Sequence, residues 1–139
     1  MKKFTSALVL ITLGILAIGC DPATSDKGKV IKSAPAGNDL TVSLATSDGV
    51  LKHGNAEFTL TFADSSGKPV DVGAVALNYH MPQMGTMHEM NDPSTLTTTD
   101  TPGVYHGKAD IEMAGEWQAQ ITYDGPKGRG KASFSVNAQ

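Results

Sequence analysis

The chain has 139 residues, 40% of them hydrophobic and 18% charged, with a formal net charge of −3 and one cysteine. That is one domain's length, with enough apolar content for a modest single core. The acidic balance argues against nucleic acid and against electrostatic attachment to a membrane, and a lone cysteine excludes an internal disulfide framework.

In chain order, residues 1–19 read as an export signal. Lys2 and Lys3 form a positive start, and the apolar run over residues 7–18 is too short to span a bilayer but suits the middle of a signal peptide. The run ends in Leu16-Ala17-Ile18-Gly19-Cys20, which resembles a bacterial lipobox with Ala17 where that pattern usually has leucine. The resemblance implies that Cys20 is the lipidated first residue of the mature chain. The alternative is a plain secretory signal followed by a stray cysteine. The expected location is therefore the cell envelope, on a membrane, facing the periplasm or another extracytoplasmic space. Without Lys2 and Lys3 the 11 basic residues become 9 against 14 acidic ones, a net charge near −5. Attachment must then come from acyl chains, and several chains on one residue anchor far better than one. Residues 20–39, rich in Pro, Ser, Lys, Gly and Ala, read as a flexible tether.

Residues 40–139 form the body, and strict apolar–polar alternation, the period of a half-buried strand, runs through it. Leu40, Val42 and Leu44 alternate with polar neighbours, as do Phe58, Leu60 and Phe62. Val75, Leu77, Tyr79 and Met81 follow, then Tyr105, Ala109, Ile111 and Met113, then Trp117, Ala119, Ile121 and Tyr123, and finally Ala132, Phe134 and Val136. A short segment around residues 96–99 adds one more. Turn residues separate these runs: Asp48-Gly49, Ser66-Gly67-Lys68-Pro69, Thr101-Pro102-Gly103, Ala114-Gly115 and Asp124-Gly125-Pro126. No sustained helical period follows the signal. About seven short strands over this length predict an all-β fold, an immunoglobulin-like antiparallel β-sandwich, with Trp117 as its central plug.

The chemistry is concentrated in one segment, His80-Met81-Pro82-Gln83-Met84-Gly85-Thr86-Met87-His88-Glu89-Met90, which holds four of the six methionines. Pro82 cannot donate to a sheet ladder, so its strand should end near Met81, and Gly85 permits a bend, placing Met84, Met87 and Met90 on a rim loop. Thioether sulfur is a soft donor and imidazole an intermediate one, a mixture suited to copper. Two or three sulfurs with one histidine favour Cu(I); several imidazoles with fewer sulfurs favour Cu(II). Zinc is disfavoured, since thioether is a poor zinc ligand and there is no cysteine cluster. In an oxidising compartment thiols are lost to disulfides, whereas methionine keeps soft-metal affinity without needing deprotonation. The candidate ligands are His80, Met84, Met87, His88 and Met90, with Met81 and His106 as further candidates. Methionine also fills core gaps and rims. Met81 and Met113 lie on the apolar phase of their strands and read mainly as core. His53 reads as a solvated loop residue.

Met-Pro-x-Met-Gly-x-Met (81–87), Pro-Gly-Val-Tyr (102–105) and Met-Ala-Gly-Glu-Trp (113–117), in this order, resemble the YtkA-like domain. The resemblance covers residues 40–136. It implies an immunoglobulin-type sandwich in exported bacterial proteins, related in pattern to FixH-type oxidase assembly factors and to domains of heavy-metal efflux adaptors. It also strengthens the framework reading of Met81, Met113 and Trp117. His80, His88 and Met90 go beyond that framework, so their ligand role rests on chemistry alone.

Gly125-Pro126-Lys127-Gly128-Arg129-Gly130-Lys131-Ala132 nearly spells a phosphate-binding loop, but Ala132 stands where Ser or Thr is required and strands flank it on both sides. No nucleophile–base arrangement appears, so an enzyme is not expected. The function expected is a copper-binding lipoprotein that buffers the ion or passes it to a cuproprotein, oxidase or exporter. The alternative is an assembly module that docks to a membrane complex through an adaptable methionine surface.

Overall fold

The computed structural model describes residues 28–139; the signal and lipidation-site readings fall on residues outside these. Among the described residues are nine strands: β1 (Lys29–Gly37), β2 (Leu40–Thr46), β3 (Gly54–Ala63), β4 (Ala74–Met81), β5 (Met90–Pro93), β6 (Thr95–Thr98), β7 (Val104–Ile111), β8 (Gly115–Gly125) and β9 (Gly128–Ala138). They build two antiparallel sheets, ordered β1-β2-β3-β7-β6 and β5-β4-β8-β9. The order β2-β3-β7-β6 is the A-B-E-D sheet of an immunoglobulin-like sandwich, β4-β8-β9 is its C-F-G sheet, and β5 occupies the C′ edge. Strand alternation turns Val42, Leu44, Phe58, Leu60, Phe62, Leu77, Tyr79, Ile111, Trp117 and Ile121 into one buried core.

Three sequence expectations change. First, the stretch read as a tether is a strand from Lys29 onward, paired with β2 along its length. It escapes hydropathy because it is an edge strand. Val30 is 61% exposed and only Ala36 is fully buried; Pro35 is tolerated because an edge strand has a free side. It is tied to the second sheet by the Tyr123 hydroxyl, which donates to the Ala36 carbonyl at 2.9 Å, while Ala36 joins the core and Ile31 and Ala34 pack against it. Second, the expected strand near residue 96 is half of a longer extended segment. Residues 90–93 pair with β4 and residues 95–98 with β7. The change of sheet falls at Ser94, whose N–H donates to the Leu77 carbonyl at 2.9 Å. Third, Met113 lies beyond the end of β7, half-buried against the core in the turn before β8. Trp117 is fully buried, and its indole N–H donates to the Met113 carbonyl at 3.0 Å.

Aromatic rings join the layers. Phe58 meets Tyr79 edge-on across the layers with centroids 5.7 Å apart, and Phe62 meets Tyr123 of the other sheet at 5.4 Å and Tyr105 of its own sheet at 5.9 Å. Edge-to-face pairs of this kind add about 0.5–1.5 kcal/mol beyond burial. The Phe58 ring lies over Gly107, its direct partner across the β3–β7 ladder, and a Cβ there would fall 2.2 Å from a ring carbon. Gly107→Ala should therefore force Phe58 off its rotamer and cost about 1–3 kcal/mol. A fall in Tm of at least about 4 °C is expected; thermal unfolding unchanged from wild type would refute this account of the core.

The Tyr79 hydroxyl is buried with no hydrogen-bond partner among the described residues. Burial pushes its phenol above the ordinary value near 10. The neutral form is thus held more strongly in the folded state, so its contribution is intact below pH 10 and stability falls as pH rises beyond it. Tyr79→Phe removes an orphaned donor at little packing cost. The variant should be at least as stable as wild type at neutral pH and less sensitive to alkali, as read by denaturant unfolding across pH. A marked loss of neutral stability would show that the hydroxyl has a partner.

Candidate functional site

The methionine-histidine segment links β4 to β5 as an extended hairpin. Its base is the ladder in which His80 faces Asn91 and Met81 faces Met90. Its tip is a four-residue turn: the Met87 N–H donates to the Met84 carbonyl at 2.9 Å, and the Met84 N–H returns to the Met87 carbonyl at 3.3 Å. Gly85 has φ +58° while Thr86 does not enter positive φ. Glycine at the first central position with negative φ at the second is the signature of a type II′ hairpin turn. Pro82 lies between the two paired regions, where no ladder donor is needed.

Alternation divides the donors between two faces. Tyr79 and Met81 are buried, 0% and 2% exposed, so His80 between them points out of the second sheet. Pro82 and Met84 continue on that outer side: with His80 they line a cleft of about 450 Å³, completed by Glu116, Trp117, Gln118 and Ser135 from β8 and β9. Met87 faces Met84 across the turn, and directly opposed residues of a hairpin project to the same side. Met84 and Met87 are 55% and 40% exposed. One imidazole and two thioethers therefore share the outer face at one end of the sandwich.

Met81, Met90 and His106 do not join them. Met81 is enclosed in the core and Met90, opposite it, packs half-buried against the same core. Met90 is also the first residue of β5 rather than part of the loop, because the β4–β5 ladder resumes there. His88 is exposed and makes no hydrogen bond among the described residues. His106 is a clear correction. It sits on β7 between buried Tyr105 and Gly107, facing Thr59 and Thr97 in the ladders. It therefore points out of the first sheet, and the whole thickness of the sandwich separates it from His80. Its neighbourhood is different too: Glu57, hydrogen-bonded to Lys108 at 3.0 Å, is held below the usual carboxylate range by Lys108 and, more weakly, by His106.

Three side chains beside the site were not singled out by sequence. Glu116 brings a carboxylate to the cleft. The Asn91 Oδ1 lies 2.9 Å from His80 Nδ1 and accepts from Asn78 Nδ2 at 3.1 Å. Asp92, 6% exposed, accepts the Glu112 N–H at 3.0 Å and ties β5 to the turn before β8. Extending alternation across the β4–β5 pair would have placed Asn91 beside His80; Glu116 and Asp92 needed the tertiary structure. No group of three or more His, Cys, Asp or Glu side chains gathers among the described residues.

An immunoglobulin-like sandwich with a methionine-histidine hairpin at one end is the class of domain these features define. The chain belongs to the YtkA-like family, whose profile matches residues 35–122. The match begins inside β1, in keeping with that strand being part of the fold. No curated protein and no solved structure matches the chain.

The exposures order the methionines by reactivity. Under dilute peroxide Met84 and Met87 should form sulfoxides first and Met81 last, measured residue by residue by mass spectrometry of digests. Equal rates for Met81 and Met84 would contradict the division into two faces.

Proposed function

We propose that this chain is an envelope protein, anchored through lipidated Cys20, that binds copper at the outer face of the β4–β5 hairpin. Cu(I) is favoured over Cu(II), and the protein buffers the ion or delivers it to a cuproprotein, oxidase or exporter. The observation that supports it is the placement of His80 and Met84 on one cleft, with Met87 paired to Met84 across the turn, while Met81, Met90 and Met113 serve the core. Two soft sulfurs and one imidazole suit a low-coordinate monovalent ion. Sulfur donors that need no deprotonation suit an oxidising compartment, and an open rim suits an ion that must leave again. Glu116 can contribute an oxygen donor, which would matter more for Cu(II). His88 is a secondary candidate from the exposed arm, and His106 is not part of the site.

The exposure of Met84 and Met87 favours a second reading, in which the tip is an apolar contact for a membrane partner and no metal is involved. Competition between the full chain in detergent micelles and a Cu(I) chelator separates the two. Met84→Leu with Met87→Leu, and separately His80→Ala, should weaken binding at least tenfold, equivalent to about 1.4 kcal/mol. His106→Ala should leave it unchanged. If wild type binds no more tightly than the double leucine variant, the copper reading fails and the contact reading stands.

A further inference from the structure

His80 has two ring nitrogens, and only one can serve a ligand in the cleft. Its Nδ1 is 2.9 Å from Asn91 Oδ1. The same oxygen accepts from Asn78 Nδ2 at 3.1 Å. An amide oxygen has two acceptor positions, and an amide nitrogen can only donate. As the two amides are placed, Asn78 presents its NH₂ to Asn91 and the Asn91 oxygen faces both neighbours, an arrangement that calls for a proton on His80 Nδ1. A neutral imidazole protonated at Nδ1 has its lone pair on Nε2.

The ladder explains why these three residues meet. Asn78 and His80 are two apart on β4 and share its outer face, and Asn91 stands directly opposite His80 on β5. The residue opposite Asn78 is Pro93, whose ring has no polar atom to offer, so the Asn78 amide turns along the diagonal to Asn91. The chain of contacts is on the surface, yet each member is on a paired strand, and buried Asp92 fixes β5 beside them.

We propose that Asn91 is a positioning residue: it selects the Nδ1–H tautomer of His80 and aims Nε2 at the cleft, with Asn78 holding the Asn91 amide in the orientation this requires. Metal-binding histidines are commonly oriented through their second nitrogen in this way, and loss of such a partner typically costs 10–100-fold in metal affinity. The ligand role of Nε2 rests on the copper reading above, whereas the tautomer is a property of the metal-free protein and can be read without any metal.

The test is therefore in two parts, on the full chain in detergent micelles. The first is a long-range ¹H–¹⁵N correlation spectrum of the histidine rings without metal, in mildly alkaline buffer where imidazoles are neutral, with His80 assigned by its loss in His80→Ala. Wild type should show His80 protonated at Nδ1 and bare at Nε2. Asn91→Ala should return it towards the Nε2–H form that a free histidine side chain prefers, with the His106 signals unmoved as evidence that the fold is intact. Asn91→Asp, which keeps the acceptor oxygen, should retain the wild-type pattern. A wild-type His80 protonated at Nε2, or a pattern indifferent to Asn91→Ala, overturns the proposal. The second part is the chelator competition with Cu(I), where Asn91→Ala should weaken binding at least tenfold. If the tautomer changes but Cu(I) affinity does not, His80 is not held for copper and the positioning role falls. If wild type binds no Cu(I) at all, the copper reading falls while the tautomer result still stands.

Discussion

Successive side chains of a β-strand point to opposite sides, and β4 obeys this through five residues: Leu77, Tyr79 and Met81 inward, Asn78 and His80 outward. The inward set is anchored by the ring of Tyr79, seated edge-on against Phe58 from the other sheet. A slip of one residue would bury an imidazole and an amide and expose an aromatic core, a change far more costly than any surface interaction could offset. The orientation of His80 is thus a consequence of core packing. Asn91, Pro82 and Met84 inherit their side from it, and the cleft forms where they meet β8 and β9.

This constraint separates two uses of methionine that composition alone merges. Met81 lies in the core, and Met90 and Met113 pack half-buried against it, the gap-filling use of a flexible, polarisable side chain. Met84 and Met87 flank a two-residue turn beyond the last buried layer and contribute little to that core. The type II′ turn at Gly85 keeps the latter pair side by side. Fold and candidate site therefore draw on the same short segment without competing for the same residues.

Much of the fold was legible in the sequence because inner strands carry their burial as alternation; β3, β4, β7 and β8 are all visible in this way. β1 was not, because an edge strand with one covered side and backbone pairing as its main support needs few apolar residues. The passage of residues 90–98 between sheets was also hidden, since Ser94 gives no compositional sign of a crossing. The site was legible as a set of donor types but not as an arrangement. Alternation, carried past Met81, already places His80 and Met84 together; it could not show that His106, an equally plausible histidine, lies on the far sheet, because that depends on which strands pair. Asn91 carries no signal in the sequence, because a surface asparagine acquires meaning only once its cross-strand partner is known.

The central claim is that two thioethers and one imidazole share a single outward face of the hairpin and act together on a soft ion. X-ray absorption at the copper edge of the full chain carrying one equivalent of Cu(I) addresses it directly. The account predicts a first shell in which sulfur scatterers are joined by one imidazole, with sulfur lost in the Met84→Leu, Met87→Leu variant and the imidazole lost in His80→Ala. A first shell of nitrogen and oxygen only, or one unaltered by these substitutions, would contradict it.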